Sequence, residues 1–344
     1  MKLILTGGGT LGSVSPLIGV WQELKRQTEV ETLFVGGKKG PEAGLIKSYG
    51  FSFKTISAGK LRRYFSLKNF SDICLFVLGF FQSVKILKEF RPEIIISAGS
   101  YVAVPLIWAS CFFKTKVVIY QPDLKVGLAN RLSKKLAAWI FVSFPETAKH
   151  FPPKKTAVVG TVLRQEIGQP FVQPANKRPL LLFLGGGTGS ATINRLAAQA
   201  LPGLKDYDIF HLTGQNKNQP AGGINYGSAE FLASGYEQKL LQADLVISRA
   251  GFSTLMELSF LAKPAVLIPL PNSPQEQNAE YFCRRQAAVC LEQKSLTVAK
   301  LIETIGSALE QSRSLSKNIH KIFSHDGAHL ISQKILTLNN HESK

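Results

Sequence analysis

The 344-residue chain has little cysteine and no cysteine spacing that carries chemistry. Cys74, Cys111, Cys283 and Cys290 are far apart or lie among apolar residues, with no C-x-x-C pair. That leaves a zinc site without a ligand cluster and predicts buried free thiols in a reducing compartment. No apolar run approaches the roughly 18 to 20 residues needed to span a bilayer. Leu3-Ile4-Leu5 is stopped at once by Gly7-Gly8-Gly9, so no signal peptide is expected. Acidic residues are scarce: 23 Asp and Glu stand against 41 Lys and Arg, a formal charge of +18. This imbalance favours an anionic partner, whether a phosphorylated small molecule, nucleic acid or an acidic membrane surface. No Ser-His-Asp or Cys-His constellation can be read, so the sequence offers no triad chemistry.

What the chain does have is alternation. Hydrophobic content is 45%, and short apolar runs alternate with helical segments, which predicts an α/β fold long enough for two domains. LILTGGGTLGS near the start and LLFLGGGTGS in the middle repeat one design, an apolar strand running into a glycine turn and a helix. Two Rossmann-like, doubly wound domains built alike are therefore expected, with the ligand in the cleft beyond the carboxyl ends of their strands. Phe151-Pro152-Pro153 serves as the linker, giving domains at 1–155 and 156–344, with the last helix expected to pack back on the first domain.

The most informative stretch is Asp244 to Asn278. Leu245-Val246-Ile247 looks like a buried parallel strand, a turn follows at Ala250-Gly251, and Ser253 or Thr254 stands where a helix cap belongs. The first turn of such a helix offers backbone N–H groups to an anion. Glu257 on that turn places a carboxylate where it can accept two hydrogen bonds from a ribose diol. The competing interpretation is an ordinary strand-turn-helix with a surface Glu.

Other motifs carry less. Gly7, Gly9 and Gly12 satisfy G-x-G-x-x-G, but the place for an acidic ribose ligand reads Gly36-Gly37-Lys38-Lys39. NAD is disfavoured, and NADP stays open through Lys38 or Lys39. The loop Gly185 to Ser190 lacks the lysine of a phosphate-binding P-loop, although Thr188, Ser190 and Asn194 add donors. Arg164 is either a phosphate ligand or a surface arginine, and His211 is a candidate for the cleft. Residues 60–90 interleave cations with aromatics in KLRRYFSLKNF and then run into CLFVLGFF. That pattern fits a face lying in a membrane interface better than a single-stranded nucleic-acid platform, because the apolar run is continuous.

Taken together, the motifs resemble the MurG-type glycosyltransferases. The match runs in order through GGTLGSVSP at Gly8, SAGSYVAVP at Ser97, NRLSKK at Asn130, GTVLR at Gly160, LGGGTGS at Leu184, HLTG at His211, SRAGFSTLMEL at Ser248 and PQEQNA at Pro274. The resemblance implies the GT-B fold and transfer of N-acetylglucosamine from UDP-GlcNAc to a polyprenyl-diphosphate-linked muramyl peptide, lipid I, in peptidoglycan synthesis. It also implies work at the cytoplasmic face of the cell membrane as a peripheral protein, with no metal and no nucleic acid. Carried over by position, Arg164, Gly187, Thr188, Ser190, Ser253, Thr254, Glu257, Gln275 and Asn278 hold the donor. Thr10 and Gly12 of the first glycine loop join the binding set, and that loop, Gly99 to Tyr101 and Asp123 face the acceptor.

Two places depart from the family pattern. The first loop ends in Leu11-Gly12-Ser13 where the family has Gly-Gly-His, and the family's His-Glu-Gln-Asn loop reads Tyr120-Gln121-Pro122-Asp123. The base for an inverting transfer is thereby displaced, with Asp123 the substitute candidate, Glu42 behind it, and Ser13 unable to act unaided. Two alternatives follow: a UDP-GlcNAc 2-epimerase-like enzyme, and a degenerate subunit that binds a UDP-sugar without turnover.

Overall fold

The computed structural model describes residues 1–9, 11–38, 42–59, 68–168, 178–186, 189–214, 225–232 and 235–340. They form two compact units, Met1–Arg164 with His325–Lys344, and Gln165–Ser324.

In the first unit, short runs of β-branched and leucine residues form β1 (Lys2–Thr6), β2 (Glu31–Gly37), β3 (Ser52–Ile56), β4 (Ile94–Ser97), β5 (Lys116–Gln121), β6 (Trp139–Val142) and β7 (Thr156–Val158). All pair in parallel, in the order β3-β2-β1-β4-β5-β6-β7. A parallel sheet needs helical crossovers, and these cover both faces, which is why its central strands are apolar throughout instead of alternating. The crossovers are α1 (Ser15–Gln27), α2 (Glu42–Ser48), α3 (Lys68–Phe90), α4 (Ala103–Ala109), α5 (Leu128–Ser133) and α6 (Pro145–Ala148). Leu3, Leu5 and Ile96 pack with Leu17 and Leu24 of α1 on one face. Ile4 and Ile95 pack with Leu87 of α3 and Leu106 of α4 on the other.

The strand near Ala157 is expected to open the second half, yet β7 extends the first sheet, with Thr156 opposite Ile140 on β6. Pro152-Pro153 makes a tight 3-10 turn within the unit (Pro153–Lys155), which sends the chain straight back alongside β6.

The second unit repeats the plan with β8 (Leu180–Leu184), β9 (Asp208–Leu212), β10 (Tyr226–Ala229), β11 (Leu245–Ser248), β12 (Ala265–Leu267) and β13 (Val289–Cys290). Their order is β10-β9-β8-β11-β12-β13, again parallel. Helices α7 (Ala191–Ala200), α8 (Tyr236–Gln242), α9 (Phe252–Phe260), α10 (Pro274–Cys283), α11 (Val298–Glu310) and α12 (Ser312–His320) follow. Helix α13 (Gly327–Asn340) belongs to the first unit, where Ile331 and Ile335 join the core beside α1. In each unit the strand order reverses direction at one point, between β1 and β4 and between β8 and β11, the place where open α/β sheets bind ligands.

The cysteines differ from expectation. Cys283 and Cys290 form a disulfide, while Cys74 and Cys111 are exposed. Helix α10 ends at Cys283, and Gln286, at a φ of 53°, turns the chain back so that β13 brings Cys290 to a Cα separation of 6.1 Å. Apolar neighbours such as Phe282 and Val289 disguised the pair as core thiols. Among the described residues no helix is long and apolar enough to cross a membrane.

Candidate active site

The second unit's switch point is built by register. Leu184 at the end of β8 lies opposite Ser248 at the end of β11, so the glycine loop from Gly185 and the turn Arg249-Ala250-Gly251 leave the sheet side by side. Gly189 has a φ of 71°, and a Cβ there would run into the Thr213 carbonyl, so only glycine fits the turn. Ser190 closes the loop as the cap of α7, its Oγ accepting from Ile193 N at 3.3 Å. The same Oγ accepts from Arg249 Nη2 at 2.9 Å and Nε at 3.2 Å, while Arg249 Nη1 donates to the Ile268 carbonyl at 2.9 Å. Arg249 is buried, which pulls its pKa down. Ser190, expected as a donor ligand, is also buried and acts on this loop from beneath.

Asn194 ties the loop to the next strand. Its Nδ2 donates to the Thr213 carbonyl at 3.0 Å, so its Oδ1 faces His211 Nε2, 3.0 Å away, and that nitrogen carries the proton. Tyr226 OH then donates to His211 Nδ1 at 3.0 Å. His211 is 0% exposed, and burial lowers its pKa to about 4. It faces this internal network and not a cleft, because the alternation along β9 turns it under α7.

Helix α9 begins two residues earlier than a cap at Ser253 would give. Gly251 takes the cap position and its carbonyl accepts from Leu255 N at 3.1 Å, which places Phe252, Ser253 and Thr254 in the first turn. The first-turn N–H groups have no carbonyl four residues back within the helix, and the dipole adds positive character there. Glu257 sits one turn on from Ser253, on the same face. It is only 4% exposed, and Oε2 accepts from Tyr236 OH of α8 at 2.7 Å. The surface-Glu alternative is therefore overturned by burial.

Helix α10 is capped by Ser273, whose Oγ accepts from Gln275 N at 3.2 Å. Gln275 Oε1 accepts from Leu270 N at 3.0 Å. Asn278, expected at the sugar hydroxyls, is fully buried and its Nδ2 donates to the Ala250 carbonyl at 3.3 Å, tying α10 to the turn ahead of α9.

In the first unit, Ser13 closes the glycine loop: its Oγ accepts from Gly8 N at 3.1 Å and lies 3.3 Å from the Gly8 carbonyl. Gly12 lies in the same 3-10 turn, Leu11–Ser13. Asp123 follows β5 in a loop braced from within: Asn130 Nδ2 donates to Gln121 Oε1 at 2.8 Å, and Gln121 Nε2 donates to the Asp123 carbonyl at 2.8 Å. Asp123 itself is partly exposed. Its neighbour Tyr120 is buried beside Ser143, and burial raises its pKa, so it does not serve as a base. Arg164 Nη1 donates to Tyr49 OH at 3.3 Å. Thr10, Gly187 and Thr188 lie outside the described residues, as does the side chain of Glu42. Among the described residues no group of three or more His, Cys, Asp or Glu is arranged to hold a metal.

Residues 60–67 of the basic-aromatic segment also lie outside the described residues, but the apolar part is visible. Ile73, Leu75, Val77, Leu78 and Phe81 of α3, Trp108 of α4 and Phe112 just beyond it are exposed. Phe76 meets Trp108 edge-on at 5.8 Å, and Phe80 meets Phe112 at 6.1 Å, so α3 and α4 share one aromatic surface. Lys85 and Lys88 are exposed on α3, and Lys114 is exposed in the turn before β5.

Two site residues escaped the sequence. Arg249 had a signal, a cation directly after a buried strand, whereas Tyr236 had none.

Residues 3–142 match the glycosyltransferase family 28 N-terminal domain and residues 180–334 its C-terminal domain. A UDP-N-acetylglucosamine–N-acetylmuramyl-(pentapeptide) pyrophosphoryl-undecaprenol N-acetylglucosamine transferase of Lachnoclostridium phytofermentans is 35% identical over 327 residues, 91% of this chain and 92% of the relative. An enzyme of the same description from Shouchella clausii is 35% identical over 318 residues, 88% of this chain and 90% of the relative. Among solved structures, Acinetobacter baumannii MurG is similar with a TM-score of 0.74 at 22% identity, over 98% of this chain and 99% of that one. The calicheamicin glycosyltransferase reaches 0.70 at 14% identity, over 98% of each chain. Both share the GT-B fold of two Rossmann-like domains. The chain therefore belongs to glycosyltransferase family 28, as a MurG-type N-acetylglucosaminyltransferase.

Proposed function

We propose that this protein transfers N-acetylglucosamine from UDP-GlcNAc to undecaprenyl-diphosphate-linked muramyl peptide, with inversion at the anomeric carbon. The observation that carries this is 35% identity across 91% of the chain to a transferase named for that reaction. The geometry of the second unit supports it: a glycine turn and a helix start stand side by side at the switch point, with a buried carboxylate one turn along.

In this proposal Glu257 accepts the ribose hydroxyls, the first turn of α9 and Arg164 receive the diphosphate, and Gln275 meets the sugar. Asn278 contributes by fixing the Ala250 turn, since its amide is engaged there. The acceptor hydroxyl attacks the anomeric carbon as the bond to UDP breaks, Asp123 takes the hydroxyl proton, and helix N–H groups and Arg164 stabilise the leaving diphosphate without a metal. Preorganised donors suit this task because they need no rearrangement as charge builds on the leaving group.

The exposed aromatic surface of α3 and α4, edged by lysines, supports peripheral binding to an anionic membrane from the cytoplasmic side, where the lipid-linked acceptor is held. The test is incubation of purified protein with UDP-GlcNAc and lipid I, followed by mass analysis of the lipid. A disaccharide-lipid is expected. UDP-ManNAc formed from donor alone would establish the epimerase alternative, and UDP binding without any product would establish the degenerate subunit.

A further inference from the structure

Tyr236 and Glu257 come from different helices, yet their side chains meet in a 2.7 Å hydrogen bond from the phenol to Oε2. Tyr236 is the first residue of α8, reached through Gly235, whose φ of 82° turns the chain sharply into the helix. Glu257 lies on the second turn of α9 and is almost fully buried. Both helices begin at the carboxyl side of the second sheet, the side on which such sheets take ligands. Ordering a glutamate's three side-chain torsions only when a ligand arrives costs affinity. The phenol bond helps to set the Oε2 position before any ligand arrives. Each carboxylate oxygen has two acceptor positions, so Oε2 can receive the phenol and a ribose hydroxyl together while Oε1 receives the second.

We infer that Tyr236 is a positioning residue for nucleotide recognition: it fixes the Glu257 carboxylate in the orientation that accepts a ribose 2′,3′-diol. This rests on the proposed ribose role of Glu257. A tyrosine that merely packed α8 against the unit would influence every nucleotide alike, whereas a residue acting through Glu257 influences only those carrying the diol.

The experiment is calorimetric titration of the full chain with UDP and with 2′,3′-dideoxyuridine diphosphate, for wild type, Tyr236→Phe, Glu257→Gln and the double variant. Tyr236→Phe removes one oxygen and keeps the ring. It is expected to weaken UDP binding about fivefold, the scale of one well-placed hydrogen bond, while the dideoxy nucleotide stays within about twofold of wild type. The double variant should bind UDP no more weakly than Glu257→Gln alone. If Tyr236→Phe binds UDP like wild type, or loses both nucleotides equally, while Glu257→Gln weakens UDP more than the dideoxy nucleotide, the positioning role is refuted and the ribose role survives. If Glu257→Gln loses both nucleotides equally, the ribose role fails and the positioning role falls with it. Melting temperatures taken alongside identify a variant that has failed to fold; in that case Tyr236→His, retaining a ring and a donor, should restore diol-dependent affinity, and its failure to do so counts against the inference.

Discussion

Arg249 grips Ser190 with two nitrogens, Nη2 at 2.9 Å and Nε at 3.2 Å, across 59 residues of sequence. One hydroxyl oxygen thus joins the glycine loop, the start of α7 and the turn after β11. Ser190→Ala removes a helix cap and leaves guanidinium N–H groups buried without their acceptor. A loss of about 1–3 kcal/mol in unfolding free energy is expected from urea titration. Ser190→Thr, which keeps the oxygen, should recover most of it, and equal stability of Ser190→Ala and wild type would show that the grip contributes nothing.

Asp123 is the carboxylate assigned to the acceptor proton. Asp123→Asn preserves shape and removes basicity, so kcat should fall roughly 100- to 10,000-fold, the usual range for general-base help. The Kd for UDP should not move, because Asp123 is assigned to the acceptor and not to the donor nucleotide. Normal turnover by Asp123→Asn would eliminate this residue as the base.

His211 makes stability depend on pH. In the folded protein burial holds its pKa at about 4, against an ordinary value of 6.5. Between those values the unfolded chain binds the proton and the folded one does not, so the contribution is complete above pH 6.5 and is lost as pH falls towards 4. The slope from one such group is at most about 1.4 kcal/mol per pH unit. Urea unfolding from pH 7.5 to 4.5 should show this decline, and His211→Gln should flatten it. Parallel profiles for the two proteins would contradict the assignment.

Phe81 and Phe112 are the most exposed aromatics of the α3–α4 surface, at 64% and 75%. Replacing either with Glu puts a negative charge and a hydration shell where an acyl boundary is proposed. Sedimentation with phosphatidylglycerol vesicles should show binding weakened about tenfold or more. Raised salt should weaken wild-type binding as well, since part of the attraction comes from lysines. Unchanged partitioning of Phe81→Glu and Phe112→Glu would remove this surface from consideration.

The architecture was legible because the signals behind it are local. Leu3-Ile4-Leu5 and Leu180 to Leu184 announce buried parallel strands, and the glycine turns after them announce tight exits, all within about a dozen residues. Glu257 was also found locally, by its distance from a helix start. What escaped depends on strand order. Arg249 meets Ser190 because β11 lies beside β8, and His211 turns inward because β9 lies beside β8 under α7, and neither adjacency is written in a stretch of sequence. The cap of α9 was misplaced for a different reason: hydroxyl side chains are the commoner caps, but here the glycine before them already has the extended backbone a cap requires. The disulfide was missed because the reversal at Gln286, between two cysteines seven positions apart, carries no signal in the sequence.

Helix α13 sets an order of events during synthesis. Its Ile331 and Ile335 complete the core around Leu17 and Leu24, so the first unit is finished with residues translated after the whole of the second. While the ribosome is still making β8 to α12, α1 has an uncovered apolar flank. Until α13 has emerged from the exit tunnel and docked, that flank lacks its native cover, and first-unit folding cannot be completed domain by domain in chain order.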